Sequence, residues 1–314
     1  MHSHQNGIHH ITALSGAAQT NATFYVDTLG LRFIGKSVNQ DDPSTPHLFY
    51  GNAEGTPGSE LTFFPWPRAI KGEPSSGEAQ VVAFAIPTGS LDFWQERLEE
   101  MEIDFEGPDE RFGAQVLRFG DPDGMDLELV TDPGVEELPG WASPGVPAKH
   151  AIRGFWGATL RLTETEGTAR VLGEVLGFEK AETEGAIERW RTDAAVGGNV
   201  LLETVEPHQG RNGRGIIHHV AFRTADEKTQ KAYRQQVMEM GLNPTQVIDR
   251  HFFKSVYFQE PGGVLFEIAT DGPGFGAEKT DENLADEWKL PPWYESHREQ
   301  IESRLPEIRT GQAE

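Results

Sequence analysis

The chain has 314 residues, with 27 Lys plus Arg against 50 Asp plus Glu and a formal net charge of −23 at pH 7. That length suits two domains of ordinary size, and that charge repels nucleic acid and anionic membrane surfaces, so neither is an expected partner. There is no cysteine, which removes disulfides, thiolate zinc sites and cysteine nucleophiles from consideration; the acidity itself fits either a well-solvated surface or a salt-rich cytosol.

The N-terminal MHSHQNG lacks the apolar core of a signal peptide, and no later run approaches the ~20 apolar residues of a membrane span, so a cytoplasmic location is expected. The first predicted strand, GIHHITAL at 7–14, carries the adjacent pair His9 and His10. It opens a unit of strand, helix and three strands that recurs about four times, at 7–66, 79–133, 153–206 and 215–271. The helices tend to end in a glycine cap, as in DTLGLRF (Gly30), EVLGFEK (Gly177) and MEMGLNP (Gly241). Units two and four close alike, DPDGMDLELVTDPG at 121–134 aligning with EPGGVLFEIATDGPG at 260–274, Glu128 against Glu267. The Pro- and Gly-rich stretch 133–148 reads as a linker. The expected fold class is therefore α+β, four βαβββ modules in two pseudo-repeated domains, 7–135 and 150–272. A C-terminal tail, 273–314, carries a helix in ESHREQIESRL after LPPWY.

Only units one and four have histidines on their opening strands, GIHHITAL and GIIHHVAF. Strand alternation puts Ile217, His219, Ala221 and Arg223 on one face and Ile216, His218, Val220 and Phe222 on the other. In VLFEIAT, Val264, Phe266 and Ile268 form the bulky face. Packing both bulky faces under helices leaves His219 and Glu267 together on the opposite side, where a cavity can open. The phase of the first strand does not choose between His9 and His10. A carboxylate within an apolar strand is costly unless paired or ligated. A complete set of two histidines and a carboxylate then arises by joining unit one to unit four, with units two and three forming a metal-free pair.

HHIT near the N-terminus, FFPWP closing unit one, HHVAF opening unit four, the glutamate on the last strand and the LPPW tail together resemble the vicinal oxygen chelate (glyoxalase/extradiol dioxygenase) superfamily over residues 7 to about 308. Within it, the chain resembles the hydroquinone-type ring-cleaving dioxygenases. The resemblance implies Fe(II), or Mn(II) in its place, held by His10, His219 and Glu267, with His9, His218, Arg250 and Tyr257 acting around them. It also implies a small aromatic diol, hydroquinone- or catechol-type, and O2 as partners, with both oxygen atoms entering the opened ring; a homo-oligomer stays open. Two imidazoles and one carboxylate leave three metal positions for diol and O2. Adjacent strand residues face apart, so His9 and His218 reach the metal region only through twist, a bulge or a neighbouring cavity. Arg250 has a competing reading as counter-charge to Asp249, and Tyr257 as ordinary strand packing. Glu128 and Glu203 read as repeat vestiges or salt-bridge partners, and His47, His150, His208 and His251 as surface residues. The alternatives are a glyoxalase-like isomerase or lyase, which would need a fourth ligand such as Glu128 or Glu203, and a metal-free binding or resistance protein, which leaves both histidine pairs unexplained.

Overall fold

A computed structural model describes residues 6–274 and 287–310. Each repeat folds as strand, helix and strands. The first runs β1 (Ile8–Ser15), α1 (Ala18–Ala22, continued by a π turn), β2 (Arg32–Val38), β3 (Pro46–Gly51) and β4 (Glu60–Pro65). The second comprises β5 (Glu78–Ile86), α2 (Leu91–Glu100), β6 (Phe105–Arg111), β7 (Ala114–Gly120) and β8 (Asp126–Thr131). The third follows with β9 (Gly154–Leu162), α3 (Glu166–Arg170, also continued by a π turn), β10 (Glu179–Glu184), β11 (Ile187–Arg191) and β12 (Asn199–Thr204). The fourth has β13 (Ile217–Thr224), α4 (Glu227–Glu239), β14 (Ile248–Asp249), β15 (Lys254–Gln259) and β16 (Leu265–Thr270). Gly30 and Gly241 take φ of 68° and 83° just beyond their helices, the left-handed conformation that glycine adopts without steric cost.

The strands form two eight-stranded sheets, ordered β14-β15-β16-β13-β1-β4-β3-β2 and β10-β11-β12-β9-β5-β8-β7-β6. The outer modules thus build one sheet and the inner modules the other. In the first sheet, antiparallel β1 and β13 lie at the centre, flanked by β4 parallel to β1 and β16 parallel to β13. Val220, Phe222, Phe266 and Ile268 join the main apolar core, which draws on both sheets, whereas Ala221 and Ala269 lie with Phe49, Phe252 and Phe253 on the other side. From Val220 onward the helix-covered and open faces are those that side-chain bulk predicts; before it Ile217, expected beside His219, joins the core, and His218, expected on the covered face, lines a cavity.

The central pair is irregular at both histidine pairs. Ile8 pairs with Phe222 and His10 with Ala221, so two steps along β1 match one along β13 and His9 is the extra residue. Thr12 pairs with His219 and Ala13 with Ile217, which makes His218 the extra residue of β13. Each is a β-bulge, which bends the strand and re-aims side chains. In the tail, a 3₁₀ turn that starts inside LPPWY, at Pro292–His297, leads into α5 (Arg298–Glu302), and Lys289 N donates to Lys36 O at 2.9 Å, covering the β2 edge. Residues 275–286 and 311–314 of the expected tail lie outside the described residues. Among the described residues no helix is long and apolar enough to cross a membrane.

Candidate metal centre

His10 from β1, His219 from β13 and Glu267 from β16 meet at the middle of the first sheet, although His10 and His219 are 209 residues apart. Glu267 Oε2 lies 3.2 Å from His10 Nε2 and 2.9 Å from His219 Nε2, and the two Nε2 atoms are 3.2 Å apart. All three residues are buried, Glu267 completely, and neither of its carboxylate oxygens has a well-formed hydrogen bond. A buried carboxylate left so would be costly. Metal bonds of roughly 2.1 Å at right angles set neighbouring ligand atoms about 3.0 Å apart, close to the three distances seen, so the residues present fit a divalent ion. Burial works against charge on Glu267, but His10 and His219 hold its carboxyl well below the usual range. Burial likewise lowers the His219 imidazole against the pull of Glu267, keeping it in the neutral form that ligates metals.

The two bulges turn each neighbouring histidine edge-on to its partner. His9 Nδ1 lies 3.0 Å from His10 Nδ1, and His218 Nδ1 lies 2.8 Å from His219 Nδ1. The pairs differ in their surroundings. His9 is buried against Phe253, with ring centroids 5.1 Å apart, and Glu60 Oε2 lies 3.5 Å from its Nδ1. Burial, then the charge of Asp271, raises the Glu60 carboxyl well above the ordinary range. His218 instead opens into a cavity, and burial followed by His219 lowers its pKa to about 4.

That cavity, of about 430 Å³, has His10, His219, His218, Arg250 and Tyr257 in its wall. Its apolar surface comes from Phe49, Phe64, Trp66, Phe252 and Leu265. Arg250 makes its ion pair with Asp41 at 3.1 Å rather than with Asp249, and its guanidinium carbon sits 5.3 Å from the Tyr257 ring centroid. Burial opposes the Arg250 charge, but Tyr257 and Asp41 more than offset it. Tyr257 pairs across the ladder with Glu267, and burial, then that carboxylate, raises its hydroxyl pKa.

His47 is a correction to the sequence reading: it lines the cavity instead of the surface, between Phe49 and Phe64 at centroid distances of 4.0 and 4.4 Å. Its Nε2 is 2.9 Å from Thr62 Oγ1. Glu60 was missed as well; the available signal was its phase with Thr62 and Phe64, two residues on from each other along β4. Glu128 and Glu203 belong to the second sheet. Glu128 accepts from Arg111 Nη1 at 2.9 Å, with Arg118 also in ion-pair range, and Glu203 accepts from Arg161 Nε at 2.8 Å. Arginines therefore neutralise these positions, and neither glutamate reaches the histidines as a fourth ligand.

Two buried groups of two histidines and one carboxylate occur among the described residues, one of His9, His10 and Glu60 and one of His10, His219 and Glu267. The second, which has both histidines in the cavity wall, is the candidate metal centre of a protein built of four βαβββ modules in two sheets. The sequence matches the family described as Glyoxalase/Bleomycin resistance protein/Dioxygenase superfamily over residues 7–129 and 158–268, and the chain belongs to it. It is 40% identical over 299 residues to a Bacillus subtilis protein named "Putative ring-cleaving dioxygenase MhqO", covering 95% of each chain. It is 32% identical to the chlorohydroquinone/hydroquinone 1,2-dioxygenase of Sphingobium indicum, covering 94% of each. A crystal structure of a Bacillus subtilis protein titled a putative dioxygenase superposes with a TM-score of 0.92 at 39% identity, covering 96% of this chain and 97% of that one. Glyoxalase I from Zea mays, at 15% identity and a TM-score of 0.63, shares the fold.

Proposed function

We propose that the chain binds Fe(II) through His10, His219 and Glu267 and cleaves the ring of a hydroquinone-type diol with incorporation of both atoms of O2. The observation that carries this reading is the near-equilateral set of ligand atoms, 2.9 to 3.2 Å apart, at the wall of an aromatic cavity. Ferrous iron bound there supplies redox contact between diol and O2 and makes a coordinated hydroxyl more acidic. Two neutral imidazoles and one carboxylate hold it while leaving positions open. Phe49, Phe64 and Phe252 shape a space suited to one substituted ring and keep bulk water from it. The permanent charge of Arg250 holds an anionic substrate oxygen, and His218 or Tyr257 moves a proton at the diol hydroxyl. A ferrous cofactor suits the reducing cytoplasm, which we propose as the compartment.

The test is anaerobic reconstitution with Fe(II), then oxygen-electrode assays across hydroquinones and catechols. The expected result is O2 uptake equimolar with hydroquinone consumed, together with a ring-opened product. Iron-loaded protein that takes up no O2 with any diol contradicts the proposal.

A further inference from the structure

We infer that Glu60 is a positioning residue for the metal ligand His10, supplying from beside His9 the anionic charge that completes the centre. The inference rests on the metal-binding reading above and extends it to a carboxylate outside the ligand set. Glu60 begins β4, directly beside His10 in the parallel ladder, and is 1% exposed. Its Oε2 has no hydrogen bond among the described residues, and its ion-pair contact is with His9. The guanidinium of Arg223, whose charge is felt at Glu60, already gives its Nε and Nη2 to Asp271 at 3.0 and 2.9 Å. A buried carboxylate in that position is unfavourable for folding alone.

The metal site supplies a reason for it. A divalent cation with one carboxylate ligand leaves one positive charge in a buried place; that charge favours the ionised form of Glu60, which burial alone disfavours, and Glu60 in turn balances it. If His10 binds metal through Nε2, its Nδ1 carries the proton and points to His9 Nδ1, 3.0 Å away. The Glu60 carboxylate, 3.5 Å from that same His9 nitrogen, favours the shift of positive charge onto the imidazole pair that metal binding brings. Phe253 packs against both rings, at centroid distances of 5.1 Å from His9 and 4.9 Å from His10. His218 and His219 have the matching nitrogen pair but open on the cavity, so the outer carboxylate belongs to the N-terminal ligand.

Metal-free full-length protein is titrated with Mn(II), chosen because it does not oxidise in air, and the metal-free melting temperature is measured alongside. Glu60→Gln, which keeps shape and removes charge, should weaken Mn(II) binding roughly 10- to 100-fold without lowering the metal-free melting temperature. Glu60→Asp should retain more affinity than Glu60→Gln. Equal affinity in wild type and Glu60→Gln overturns the inference, as does equal loss in both variants, which would make shape and not charge the cause. A wild type that binds no Mn(II) at the triad would instead refute the metal-binding reading itself.

Discussion

Single side chains at this site are set by what lies immediately behind them. His10 and His9 share a strand and a dipeptide, yet one faces the triad while the other backs it, and alternation along GIHHITAL could not say which. The reason is the bulge: Ile8 has the parity of His10 but joins the core with Ile11 and Ala13. His219 and Glu267 were legible because their strands have unequal faces, bulky on one side and small on the other. Asp41 was not, since a loop brings it in without a local pattern, and Glu60 showed only its phase with Thr62 and Phe64, which does not say what its strand lies beside. Arg250 and Tyr257 contact each other and the cavity without touching the triad carboxylate through a hydrogen bond. Arg250→Ala and Tyr257→Phe should therefore leave iron content unchanged and lower turnover, by on the order of 10²-fold where a proton-transfer group is lost. Steady-state kinetics at matched iron loading checks this; wild-type rates and Michaelis constants in both variants would confine function to the three ligands.

Among the structural elements, the turns before the closing strands show how one sequence pattern serves different ends. In DPDGMD, Asp121 Oδ1 accepts from Asp123 N at 2.9 Å and Met125 N at 2.8 Å, and Tyr25 Oη donates to Oδ2 at 3.0 Å. In EPGGVL, Glu260 takes the same role toward Gly262 N and Val264 N at 2.9 and 2.8 Å. The strands that follow diverge: β8 delivers Glu128 to arginines and β16 delivers Glu267 to histidines. Burial raises the Asp121 pKa from 3.8 to about 6. The folded state thus holds a proton that the unfolded chain releases between those values. Its stabilisation is full below pH 3.8 and is lost as pH rises through 6, a swing of about 3 kcal/mol. Asp121→Asn cannot titrate but keeps an acceptor oxygen. Denaturant unfolding at pH 4 and pH 6.5 should show wild type losing stability relative to the variant by an amount of that order; parallel curves would place the titration elsewhere.

At the scale of the whole molecule, the repeats were readable from their turns and glycine caps, and the distribution of histidines pointed to the joining of units one and four. The linker at 133–148 divides the chain in sequence, yet both sheets cross that division, since β1 finds β13 and β5 finds β9. One sheet carries histidines on its two central strands, beside Glu267; at the corresponding Glu128 of the other sheet, Arg111 supplies the positive charge. The cavity's aromatic wall could not be read in advance, because Phe49, Phe64 and Phe252 come from three separate segments and strand periodicity does not register them against one another. The central claim is that one ion joins the first and last modules. Crystals of the iron-reconstituted protein, measured at the iron absorption edge, should show one anomalous peak per chain in contact with His10 Nε2, His219 Nε2 and the Glu267 carboxylate. A peak between His9 and Glu60, or no peak at the triad in protein that carries iron, would contradict it.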